Sequence, residues 1–150
     1  MVDSAMEIET DEKPASGATA VGRLIAAIGY PDGDPTADGP FALRADGMEI
    51  VAIEDGGRIR LEYVLPVGEA RFPELAGYAA GRMLKERATL AADEASGTAF
   101  LWQDAPAGSS SADLARLFET FADSCDWWRA RAEEMRGDAA SLFETEMIRP

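Results

Sequence analysis

Histidine is absent from this chain, and cysteine occurs once, at Cys125. Without histidine the chain lacks the commonest general base and the commonest zinc ligand, and it can assemble no Ser-His or Cys-His nucleophile pair. One cysteine excludes an intramolecular disulfide; Cys125 falls inside a helical pattern, where a small buried apolar group fits. No apolar run approaches the roughly 18 residues of a membrane span, and the first residues lack a basic region followed by an apolar one. The expectation is a cytoplasmic protein with no membrane contact. Cations are scarce as well. The 14 Lys and Arg against 28 Asp and Glu give a net charge of −14, which repels nucleic-acid phosphates and anionic lipid. The same acidity keeps soluble a molecule that exposes apolar patches.

Catalytic motifs are missing too. There is no Walker A pattern, no GxGxxG after a strand and no GxSxG elbow. The cluster Asp32, Asp34 and Asp38 fails as a calcium loop: Thr36 stands where Asp or Asn is needed, Ala37 where Gly is needed, and Leu43 where a carboxylate is needed. Glu49 and Glu62 read as wet-face strand residues rather than an acid–base pair. No enzyme activity, metal or cofactor is expected.

What is present is a core-forming pattern: 47% of the 150 residues are hydrophobic, enough for one domain. Met1 to about Ala18 is acidic, with no sustained apolar period, and reads as a mobile tail. The domain is placed at 19–136, with a C-terminal extension over 137–150. Val21, Leu24, Ile25 and Ile28 recur at i, i+3, i+4 and i+7, the stripe of an amphipathic helix ended by Tyr30-Pro31. The turn-rich Pro31–Pro40 follows. Strands are predicted at Phe41–Ala45, Met48–Glu54 and Arg58–Leu65, joined by Asp-Gly and Asp-Gly-Gly turns into an antiparallel meander. Pro66 is read as its end. A helix from Phe72 to about Arg87, strands at Thr89–Ala92 and Thr98–Gln103, and a helix from an N-cap at Ser111 to about Arg136 complete the domain. On that last helix Leu114, Leu117, Phe118, Phe121, Cys125, Trp128 and Met135 form one stripe. Trp127 points away from it, so it is either half-exposed or buried against a partner.

Two features exceed what a small core requires. In GYAAGRML, Gly77–Leu84, the far side of the wheel from Leu75 carries Gly77, Ala80, Gly81 and Leu84. Two helix-interior glycines cost roughly 1 kcal/mol each against alanine, so another backbone is expected to approach there. A plain core helix is the alternative. The second feature is strand-borne apolar area: Phe41, Leu43, Val51, Ile53, Phe100 and Trp102 offer more than two helices obviously cover. That suggests a binding or subunit surface, with two-sided burial inside one domain as the alternative. An open sheet edge beside it can accept an extended peptide by strand addition.

The blocks VGRLIAAIG, FALRADGMEIVAIEDGGRIRLEYVLP, and TLAADEASGTAFLWQDAP leading to ADLARLFETFADSCDWWRARAEE make the chain resemble the class I type III secretion chaperones, the Tir-chaperone (CesT-like) family, over about Val21 to Met135. The resemblance implies an α+β fold, an antiparallel twisted five-stranded sheet with three helices in the order α-βββ-α-ββ-α. It also implies a homodimer that holds the N-terminal segment of a secreted effector in extended form, without ATP. Leu75, Gly77, Tyr78, Ala80, Gly81, Leu84 and Trp127 would then form the dimer contact. Val21, Leu24, Ile25, Phe41, Leu43, Val51, Ile53, Phe100 and Trp102 would meet the client. The acidic tail, the proline-rich loop and the segment after Gly137 lie outside the resemblance. A regulatory or scaffold protein on the same fold, binding one folded partner, is the alternative.

Overall fold

Thr19 opens the first helix, α1 (Ala20–Ala27), by accepting the Gly22 N–H on its Oγ1 at 3.0 Å, which satisfies one of the free donors of the first turn. The computed structural model describes residues 19–31, 39–82 and 87–148, with side chains as far as 136. The expected tail, most of the loop between Pro31 and Pro40, and Leu84 lie outside the described residues. Gly29, at φ 71°, ends α1: its N–H bonds to Ala26 O and that of Tyr30 to Ile25 O. Only a left-handed residue closes a helix with this pair of bonds. The stop is therefore Gly29, before the Tyr30-Pro31 signal.

Five strands form one antiparallel sheet: β1 (Phe41–Ala45), β2 (Met48–Asp55), β3 (Arg58–Gly68), β4 (Thr89–Asp93) and β5 (Thr98–Pro106), in the order β1-β2-β3-β5-β4. Asp46 and Gly47, at φ 52° and 79°, make the two-residue turn between β1 and β2, whose twist matches that of the flanking strands. β3 runs through Pro66 to Gly68 instead of stopping there. Proline removes one donor, but its fixed φ is compatible with extended backbone. A 3-10 turn at Glu69–Arg71 leads into α2 (Phe72–Arg82), and α3 spans Ser111–Ile148. Asp113 N–H donates to Ser110 Oγ at 3.2 Å, so the N-cap of α3 is Ser110, one residue before the expected Ser111. The helix continues through Gly137, where the sequence pattern predicts an end near Arg136. One helical glycine costs about 1 kcal/mol and does not stop a helix by itself.

Backbone contacts divide the chain into two units, one within Met1–Glu62 and Gln103–Ala122, the other within Tyr63–Trp102 and Asp123–Pro150. In the first, α1 lies against β2, and Val21, Leu24, Leu43, Ile50, Leu61, Leu114 and Phe121 are fully buried. Two polar ties fix α1. Glu54 Oε1 accepts the Ala20 N–H at 3.0 Å, and the Arg23 guanidinium donates to the carbonyls of Ala107, at 2.8 Å, and Ser109. In the second unit, Leu65, Leu75, Leu101, Cys125, Trp128 and Ala132 make the core. Truncating a side chain of this kind typically costs 2–5 kcal/mol, the upper end for Trp128.

Candidate functional site

Burial sorts the expected partner-binding residues into two groups. Val21, Leu24 and Ile25 are 0–2% exposed, and Leu43 and Leu75 are 0% exposed. Val21, Leu24, Ile25 and Leu43 are spent on the chain's own core, which corrects their assignment to the client surface, and Leu75, expected in the dimer contact, is buried in the core as well. The physical reason is the same in each case. A single apolar stripe on a short helix, or one face of a strand, is the first thing a small domain buries. Phe41 also changes sides. It pairs with Ala52, which is buried, so it belongs to the core face of the sheet, where its ring meets Tyr30 edge-on at 6.1 Å.

The opposite sheet face stays partly open. In the first unit it carries Val51 and Ile53, both half-buried, with exposed Ala42 beside Val51 in the register. Around them stand ion pairs, Arg44–Glu49 at 3.6 Å and Arg60–Glu62 at 2.7 Å; Arg58 and Asp104 pair through two bonds of 3.0 and 3.2 Å. The Asp104 carboxylate raises the Arg58 pKa, chiefly by that hydrogen bond. Exposed pairs of this kind add about 0–1 kcal/mol each, so their effect is to frame an apolar strip with charge. In the second unit the open face carries half-buried Phe100 and Trp102, opposite Ala91 and Thr89, and Val64, at 56% the most exposed large apolar side chain among the described residues. Val64 continues the parity of Arg58, Arg60 and Glu62, an apolar residue in a wet position that alternation alone reveals.

The second unit also holds the helix face read as a subunit contact. Gly77, Ala80 and Gly81 are exposed, and a Cβ built on either glycine would touch nothing within 4 Å. Leu75 and Ala79 face the core instead. Tyr78, 43% exposed, meets Trp127 edge-on at 6.3 Å, and Trp127 meets the buried Trp128 at 5.2 Å. The guanidinium carbons of Arg82 and Arg131 lie 4.0 and 5.0 Å from the Trp127 ring centre. Such contacts are worth about 0.5–1 kcal/mol each at exposed sites. Trp127 is thus half-buried and held by its own chain. Nearby, burial raises the Tyr63 phenol above its ordinary value of 10.0, with the Arg129 charge opposing. Arg71 hydrogen-bonds Glu74 and holds its carboxyl below the usual range.

Among the described residues, no group of three or more His, Cys, Asp or Glu side chains is placed to hold a metal ion, and no helix is long and apolar enough to cross a membrane. No protein-family model and no curated protein matches the chain. Solved structures do. A chain of the HopA1–SchA chaperone–effector complex superposes with a TM-score of 0.58 at 17% identity, covering 87% of this chain and 99% of that one. A chain of the ExoT–SpcS complex from Pseudomonas aeruginosa gives 0.58 at 14%, covering 71% and 91%, and one of the ExsC–ExsE complex gives 0.52 at 20%, covering 74% and 89%. The fold is that of type III secretion chaperone structures, as the resemblance in sequence pattern implies.

Proposed function

We propose that this chain is a non-catalytic, cytoplasmic, type III secretion chaperone-like protein, folded as one domain over 19–136. It binds an extended N-terminal segment of a secreted effector and keeps it soluble and export-competent. The observation that carries this reading is the partly open sheet face on this particular fold. Each unit leaves apolar strand residues half-buried or exposed: Val51 and Ile53 in the first, and Val64, Phe100 and Trp102 in the second. Apolar strand residues left open beside charged ones suit an extended chain that supplies apolar side chains at alternate positions. The neighbours named as chaperone–effector and protein–protein complexes support the same reading. The bare face Gly77, Ala80 and Gly81, flanked by Tyr78 and Trp127, supports a homodimer contact. Net charge of −14 offsets the tendency of such surfaces to aggregate.

The test is capture from a lysate of the source cell with the purified protein, followed by limited proteolysis and mass spectrometry. A partner held through a short protected N-terminal segment is the expected result. A partner held through a folded domain overturns the chaperone reading in favour of a scaffold.

A further inference from the structure

The start of α1 fixes where the chain before it departs. The Ala20 N–H donates to Glu54 Oε1 at 3.0 Å, which sets Thr19 beside the end of β2, next to Ile53. β1 begins at Phe41 opposite Ala52 and does not reach Ile53 and Glu54. A chain arriving at α1 can therefore pass beside these residues from the open side of the sheet to the side that α1 covers. On the open side, exposed Ala42 and half-buried Val51 are register partners, and half-buried Ile53 is next along β2. Arg60, the partner of Ile53 on β3, is held by Glu62 at 2.7 Å. The centre of this strip is apolar and its neighbouring cation is matched, so an occupant must bring apolar side chains and keep its own charges in water.

The sequence before Thr19 contains one stretch of that kind. Between Asp3 and Ala18 only Met6 and Ile8 are large apolar residues, and they alternate with Glu7 and Glu9. In extended chain, residues two apart share a side at a spacing of about 6.8 Å, which is also the spacing of Val51 and Ile53 along β2. Thr19 follows Ile8 by eleven residues, enough for up to about 36 Å of extended chain, against the roughly 10 Å between packed layers.

We propose that Met6–Glu9 occupies the Val51–Ile53 strip when no partner is bound. The segment lies on the sheet face as a second layer, with Met6 over Val51 and Ile8 over Ile53, and with Glu7 and Glu9 toward water. Its direction follows from connectivity: Ile8 is nearer to Thr19, and Ile53 is nearer to Glu54. A tether of this length gives an effective concentration of about millimolar, so a contact too weak to hold a separate peptide is populated within one chain. On the client-binding reading above, the segment is a built-in competitor for this strip, and one docked in about two-thirds of molecules lowers client affinity about threefold.

The probe is a nitroxide on Ser4→Cys in the isotope-labelled full chain, Cys125 being fully buried. In the docked segment Ser4 falls over Glu49, the end of β2 farther from Thr19. Amide signals should therefore be lost most at Glu49 and Val51 and less at Asp55 and Ala20. Adding Met6→Asp and Ile8→Asp should restore them, with the remaining shifts unchanged. Loss that is greatest at Ala20 and fades with distance from it overturns the proposal, as does loss that survives the two aspartates. Signal loss in a mixture of nitroxide-bearing chains without isotope and isotope-labelled chains without nitroxide assigns the strip to a second copy and also overturns it. This readout needs no client, so its failure is separate from failure of the client-binding reading. For a partner obtained in the capture test, the two aspartates should tighten binding about threefold; equal affinity overturns the segment's role as competitor.

Discussion

The two short helices α1 and α2 make an instructive contrast. Both read in sequence as carriers of partner contacts, yet α1 buries five of its eight residues, whereas α2, eleven residues long, buries only Leu75 and Ala79. α1 is capped by Thr19, closed by Gly29 and tied by Glu54 and Arg23. α2 leaves Gly77, Ala80 and Gly81 bare and exposes Tyr78. An apolar stripe identifies what a helix will bury, but the side without a stripe, when it is small and smooth, is what remains available.

The sharpest way to break this contrast is Leu24→Ala in α1. It should cost about 3 kcal/mol of stability, read as a lower urea midpoint at unchanged slope; a loss under about 1 kcal/mol with abolished partner capture would return α1 to the binding surface. Next is Trp102→Asp, on the open sheet face. Partner capture should weaken by about 2 kcal/mol, near thirtyfold, with the midpoint preserved, and unfolding instead would place Trp102 in the core. Gly81→Leu probes the other half of the contrast. A Cβ at this position meets nothing within 4 Å, so the fold should hold or gain up to about 1 kcal/mol in helix propensity. The proposed dimer should weaken about tenfold by sedimentation equilibrium, and an unchanged dimer would remove α2 from the contact.

The smallest effect concerns Tyr63. Its folded pKa is raised above the ordinary 10.0 by burial, so the folded chain keeps a proton that the unfolded chain releases. The resulting stability is present below about pH 10 and is lost as pH rises through the folded value. Tyr63→Phe should leave the urea midpoint at pH 8 nearly unchanged and flatten its decline toward pH 11. An equally steep decline would show that another group governs alkaline unfolding.

Much of the architecture was legible because it is locally encoded. Period-two alternation in Arg58–Leu65 assigned Ile59, Leu61, Tyr63 and Leu65 to the core face, and all four are buried there. The Leu114-to-Met135 stripe anticipated the buried side of α3, Phe118 alone being only half-buried. The site was less legible. Apolar character does not reveal which face of β2 the chain itself covers, so Leu43 and Val51 looked equivalent until the register separated them. The contact of the Tyr30 hydroxyl with the Arg44 N–H, fourteen residues away, is likewise beyond local pattern. The position of Arg82 over Trp127 also depends on two helices meeting, whereas Arg131 reaches that ring from four residues along α3 itself.

The sequence by itself determined the order of elements, the turn positions, the buried stripes and the exclusion of histidine-based chemistry, since each follows from short-range periodicity, backbone preference or composition. Tertiary structure alone decided that Leu43 is interior while Val51, Ile53, Val64 and Trp102 stay open. Apolar residues are alike in their attraction to one another, and only the packing of the folded chain decides which of them finds a partner inside it.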